Sequence, residues 1–195
     1  ALVEERYRGL QALRQLLGDA AIDYQPSGGL ELFGTKDETE QRACLDAIPE
    51  FNHQLKGITG LQETFTVVSP EQYQTYGFAG TTGMINNQAE GCIDTGLLMR
   101  SFLRKAQELD ITILNACEVQ TFAEATDGLR LQLANGWELS AGHLVIATNG
   151  FTAQLLPDID LRPARNQVLI TAPIPDLPFE GCFHYDRGYF YFRNV

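Results

Sequence analysis

Near its end the 195-residue chain reads Tyr189-Phe190-Tyr191-Phe192-Arg193, and this order of side-chain types is its clearest chemical signal. Side chains alternate across a β-strand, so Tyr189, Tyr191 and Arg193 share one face and Phe190 and Phe192 the other. Two phenols and a guanidinium are equipment for holding a carboxylate or an amine against a flat ring system. The same pattern also describes an ordinary aromatic ladder with a solvated arginine. Tyr189 and Arg193 would stand about 13 Å apart along the strand, too far to grip one small carboxylate. Tyr189 is therefore assigned to a bound small molecule, and Arg193 to the sheet edge or a supporting position.

A second signal lies at residues 143–151. His143-Leu-Val-Ile-Ala147 reads as a buried strand, and Thr148-Asn149-Gly150-Phe151 ends it with small and turn-forming residues. A strand that closes this way and opens a new helix lets a ligand approach the backbone. Other chemistries have no matching pattern. The histidines, at 53, 143 and 184, are dispersed, and no metal-ligand spacing or paired carboxylates occur, so neither a metal site nor a catalytic side chain is expected. Cys44, Cys92, Cys117 and Cys182 form no C-x-x-C pair and are expected to be reduced packing residues. Gly77-Phe-Ala-Gly80-Thr-Thr-Gly83 is spaced G-x-x-G-x-x-G, with no strand before it and no helix directly after. It is expected to be a flexible crossing and not a phosphate loop.

The elements that must position these residues follow from periodicity. Residues 3–17 predict an amphipathic helix carrying Tyr7, Leu10, Leu13, Leu16 and Leu17, ended by Gly18. Tyr24 to Phe33 predicts a strand interrupted at Pro26-Ser27-Gly28-Gly29, where paired glycines mean a bulge, a close approach or a turn. Lys36 to Leu55 predicts a helix split at Pro49. A strand at Thr64–Val68, a helical turn opened by Ser69-Pro70-Glu71 and an extended Met84–Gln88 come next. Asp94 caps a helix running to about Leu109, with Leu97, Leu98, Phe102, Ala106 and Leu109 on its apolar face. Strands are expected at Ile111–Leu114, Glu118–Glu124 and Gly128–Leu133, then a hairpin turn at Ala134-Asn135-Gly136 before Trp137–Ala141. A short helix at Thr152–Leu156, a long strand at Ala164–Ala172 and a stiff connector from Pro173 to Pro178 lead to strands Cys182–Asp186 and Tyr189–Arg193.

A chain 44% hydrophobic and 20% charged can bury a real core. A formal charge of −11 argues against nucleic acid as a partner, since phosphates need a basic face. No run approaches the roughly 18 apolar residues of a membrane span, and no signal peptide opens the sequence, so a cytoplasmic protein is expected.

Several of these stretches together resemble one family. Glu90-Gly91-Cys-Ile-Asp94 with its following helix, Glu118-Val119, Leu144 to Phe151 and Arg162-Pro-Ala-Arg-Asn-Gln167 are similar, in order and spacing, to the D-amino acid oxidases, glycine oxidase and sarcosine oxidase. Gly28-Gly29-Leu-Glu-Leu-Phe33 resembles an earlier strand of that family's substrate domain; Phe151 stands where the family usually has Trp. The resemblance implies FAD as cofactor, with Val119 contributing backbone contacts to adenine and Ala147, Thr148, Asn149 and Gly150 beside the adenosine and pyrophosphate. It also implies that the strand of Tyr189, Tyr191 and Arg193 faces an amine or amino-acid substrate, with His184 nearby. The implied reaction is hydride transfer from the substrate to flavin. The rival readings are a related flavoenzyme acting on a hydroxy acid or glycerol phosphate, and a flavin-free interaction module on the same scaffold.

The implied fold is mixed α/β, part of a FAD-binding domain plus a substrate domain with a mainly antiparallel sheet. Residues 1–76 are expected to hold a helix and part of the substrate domain, 77–160 a partial FAD-binding domain with a β-hairpin insertion, and 161–195 further substrate-domain strands. The family opens with strand, G-x-G-x-x-G and helix, and nothing before Gly28 fits. The chain is accordingly expected to be a middle piece of a longer enzyme, inactive alone and a poor binder of FAD.

Overall fold

A computed structural model describes residues 2–194, which fall into two units, 2–111 with 174–194 and Thr112–Pro173. The expected boundary at 76/77 lies inside the first unit and that at 160/161 inside the second. The fold is mixed α/β with mainly antiparallel sheets. Among the described residues no helix is long and apolar enough to cross a membrane.

In the first unit, α1 (Leu2–Leu17) and α2 (Asp19–Ile22) are separated by Gly18, whose positive φ of 84° turns the chain. Strand β1 (Gly29–Gly34) begins later than expected, because Gln25 forms only an isolated bridge with Cys92. Helix α3 (Glu38–Thr59) runs through Pro49 without splitting, contrary to expectation. Proline removes one helical hydrogen bond there, but Asn52 and Leu55 are buried beyond it and Phe51 meets Phe65 at 6.3 Å between ring centres. Packing holds the helix where propensity alone would break it. The Asn52 amide donates to the Phe65 carbonyl at 2.9 Å and accepts from the Phe65 N–H at 2.8 Å, so it pairs with edge strand β2 (Phe65–Val67) as another strand would.

Ser69 caps α4 (Pro70–Gln74), accepting from the Gln72 N–H, and β3 (Thr81–Asn87) is longer than the extended segment expected. Asp94 caps α5 (Thr95–Glu108) through the Leu97 N–H at 2.7 Å, as its sequence position implies. The inward stripe of α5 centres on buried Ser101, which donates to the Ala21 carbonyl at 2.9 Å; Phe102 and Leu109 are exposed.

The sheet of this unit has the order β2-β3-β1-β7-β8, where β7 is Cys182–Tyr185 and β8 is Phe190–Arg193. Only β1 and β7 run parallel. Leu30, Leu32, Val68, Met84 and Phe183 form the core on one face, with Tyr73, Tyr76, Phe78 and Phe179 packed against it. Phe192 stacks on Phe183 at 5.1 Å, which puts the phenylalanine side of β8 on the core face. Burying a ring such as Phe183 completely stabilises the fold by about 2–3 kcal/mol.

Cys92 and Cys182 form a disulfide, which corrects the expectation of four reduced cysteines; Cys44 and Cys117 are free. Their separation of 90 residues hides the pair from spacing arguments. The parallel pairing places Cys182 beside Gly29 and the isolated bridge places Cys92 beside Gln25, so the fold closes the gap.

The second unit is built on an antiparallel meander of β4 (Val119–Ala125), β5 (Gly128–Leu133) and β6 (Glu138–Ala141), close to the expected strands. Leu131 and Leu133 are its buried residues, and Gly136, at φ 84°, makes the hairpin turn. A single turn of 3-10 helix (Asn149–Phe151) leads into α6 (Thr152–Leu155). The expected strands at 111–114, 143–147 and 164–172 do not form. Val145, Val168, Leu169 and Ile170 are 77–87% exposed. A strand needs partners for its backbone groups, and apolar runs of this kind suit strands covered on both faces. Among the described residues no strand lies alongside them.

Candidate functional site

The core cluster claims one face of the first unit's sheet and leaves the other open only in part, since Phe33 and Ile85 are buried there and Gln41 of α3 lies over Gly83. Because Leu30 and Leu32 point into the core, Gly29 and Glu31 point away from it. Register then sets two rows across the open face. One runs Val67, Ile85, Glu31, His184, Tyr191, and the next runs Phe65, Asn87, Gly29, Cys182, Arg193. A cavity of about 130 Å³ sits over the middle of these rows. Glu31, Asn87, Glu90 and His184 supply its polar lining, Phe65 and Ile85 its apolar walls, and Gly29 part of its floor.

Each polar group has a local reason for its place. Glu90 ends the turn that follows β3, where the Asn87 amide donates to its Oε1 at 2.7 Å and the Gly28 N–H donates to its carbonyl at 3.2 Å. A Cβ at Gly29 would collide with the Glu90 carboxylate, so the paired glycines serve a close approach and not a bulge. Burial pushes the pKa of the Glu31 carboxyl above its ordinary value; His184 and the Arg187 N–H oppose the shift, and the charges of Glu40 and Glu90 add to it. The Arg193 guanidinium donates to the Ile93 carbonyl and is therefore partly committed to the backbone.

His184, Tyr191 and Arg193 thus lie together on the open face, with Tyr191 directly opposite His184. Tyr189 precedes β8 in the turn, its N–H donating to the Asp186 carbonyl at 3.0 Å and its side chain 84% exposed. Alternation therefore holds for Tyr191, Phe192 and Arg193 but does not reach Tyr189. Sequence reasoning singled out neither Glu31 nor Asn87 nor Glu90. The available signal was Leu30-Glu31-Leu32, which sets a carboxylate opposite two core leucines, next to a glycine pair that needs a close neighbour.

The remaining candidates lie in the second unit. Val119 opens β4, half-buried, at a register shift before Thr121. Ala147 and Thr148 precede the 3-10 turn outside any strand. Asn149 adopts a left-handed φ of 48°, and the Phe151 N–H donates to the Thr148 carbonyl at 2.9 Å, so the corner is a tight turn. A Cβ placed on Gly150 would lie 3.0 Å from Cβ of Pro163. Among the described residues no cluster of three or more metal-ligating side chains occurs.

Solved structures share this architecture. L-proline dehydrogenase from P. horikoshii aligns over 99% of this chain and 52% of its own, at 16% identity and a TM-score of 0.68. Glycine oxidase from Bacillus cereus aligns over 97% and 53%, at 15% identity and a TM-score of 0.63. L-amino acid deaminase from Proteus myxofaciens aligns over 97% and 42%, at 16% identity and a TM-score of 0.60. The chain spans about half the length of these proteins. No curated protein sequence matches it. The model of the FAD dependent oxidoreductase family matches residues 1–194. The chain belongs to the family of FAD-dependent oxidoreductases.

Proposed function

We propose that this chain supplies the substrate-binding sheet of an enzyme that oxidises an amine or amino acid. The observation that carries this reading is the row Glu31–His184–Tyr191, three hydrogen-bonding side chains brought side by side on the sheet face opposite the core cluster. Family membership supplies the reaction class, and the similar folds named for proline, glycine and amino-acid chemistry support the substrate class. Tyr191 and His184 would orient the substrate by hydrogen bonds, and Phe65 and Ile85 would exclude water from its carbon chain. Arg193 would brace the strand through Ile93, and Tyr189, in the turn, would reach the substrate from the rim.

Pro163 packs against Gly150 on the side where a Cβ would stand, and residues 143–147 form no strand before the corner. The described residues alone form no complete cradle for FAD. In the whole protein we assign Val119 and residues 147–150 to the adenosine half, and residues 77–160 to the flavin-binding domain. The experiment is to isolate the whole protein and offer it amines, amino acids and hydroxy acids without oxygen. Bleaching of the flavin by the first two classes supports the reading. Bleaching by hydroxy acids alone replaces it with a different oxidoreductase, and a colourless, flavin-free protein replaces it with an interaction module.

A further inference from the structure

The reading above places Glu31 in the row beside the substrate but gives no part to its charge, nor to the Glu90 carboxylate in the same lining. We infer that this cavity selects a substrate bearing positive charge beyond its reacting nitrogen, a diamine or diamino acid, and that Glu31 is the residue that sets this preference. The inference rests on the reading that the open sheet face takes an amine substrate, and it adds the substrate class.

The lining is unbalanced in charge. Glu31 and Glu90 both border the cavity of about 130 Å³, and no lysine or arginine does. The two arginines nearest in sequence to its strands are engaged elsewhere, Arg193 with the Ile93 carbonyl and Arg187 with Glu40 at 2.7 Å. His184 is the only basic side chain in the lining. The carboxylate of Glu90 is fixed in place, its Oε1 accepting from Asn87 and its Oε2 lying over Gly29. Glu31 is half-buried between the strands of Ile85 and His184, so its charge is imperfectly solvated. An ammonium entering the cavity would replace the lost solvation of Glu31, whereas a carboxylate or a purely apolar side chain would leave it uncompensated. Phe65 and Ile85 offer apolar walls for the methylene chain that joins two amino groups.

The test is calorimetric titration of the whole protein with 1,5-diaminopentane, n-pentylamine and pentanoate, which needs no turnover. The diamine should bind about tenfold or more tightly than the monoamine, and pentanoate more weakly than either. Glu31→Gln should abolish the preference, Glu90→Gln should reduce it, and Glu5→Gln, an exposed position on α1 that does not line the cavity, should leave it intact. Equal binding of diamine and monoamine overturns the inference, as does a preference that survives Glu31→Gln. The broader reading fails by a different result: diamine binding that depends on Glu31 while no amine or amino acid bleaches the flavin.

Discussion

Glu31 and His184 occupy opposite positions on β1 and β7, the one parallel pair in the first unit's sheet. Parallel pairing makes neighbours of residues from the two ends of the chain. It places a half-buried carboxylate beside an imidazole on the face turned away from Leu30, Met84 and Phe183. Every expectation about the site starts from that adjacency.

The first concerns Glu31 and pH. Burial raises the pKa of its carboxyl above the ordinary value of 4.5, so between that value and the folded-state one the native protein binds more protons than the unfolded chain. Stability therefore falls as pH rises through this window, and the loss stays constant above it. Glu31→Gln removes the charge. Its Tm should exceed the parent's at pH 7, and the gain should shrink away below about pH 4. Thermal unfolding across that range decides; a variant less stable at pH 7 than at acid pH, relative to the parent, contradicts the assignment.

Asn52 is expected to be a structural anchor. Its side chain makes both hydrogen bonds of the Phe65 peptide, and Asn52→Ala leaves that buried edge without a partner. The cost should be about 2–3 kcal/mol, read as a lower denaturant midpoint with unchanged slope. A loss below about 0.5 kcal/mol would mean that water replaces the amide freely.

The two tyrosines should separate in kinetics. Tyr191 lies across from His184 on the open face, while Tyr189 sits in the preceding turn. Tyr191→Phe in the whole enzyme should lower kcat/KM about tenfold, equivalent to about 1.4 kcal/mol, with Tyr189→Phe having a smaller effect. The reverse order would move recognition from the sheet face to the turn.

Gly150 offers a test of the cofactor corner. A branched side chain there must push against Pro163 and crowd the turn that follows Thr148. Gly150→Val in the whole protein should reduce flavin retention through gel filtration, while the first unit's sheet stays folded. Full retention would take residues 147–150 out of the cofactor's surroundings.

Local chemistry was legible in the sequence where one residue decides one feature. Asp94 and Ser69 cap the helices they precede, Gly136 makes its hairpin, and alternation sorts Tyr191 and Arg193 from Phe192. What depends on distant partners was not. Pro49 reads as a break until Asn52 and Phe65 are seen to hold the helix beyond it, and Cys92 meets Cys182 only because β7 joins β1. Residues 164–172 carry a strand's composition but find no strand alongside, and composition cannot reveal that. The site divides in the same way. His184, Tyr191 and Arg193 could be proposed from one short stretch, but Glu31 and Glu90 join them only through register and a turn.

The most direct measurement is the rate of flavin bleaching without oxygen, at rising concentrations of the best amine or amino-acid substrate, in the whole protein and in its His184→Ala variant. If the Glu31–His184–Tyr191 row holds the substrate, the variant should fold, keep its flavin and need about tenfold more substrate for half the maximal bleaching rate. An unchanged half-maximal concentration in a variant of unchanged stability would contradict the account and place the substrate away from this face.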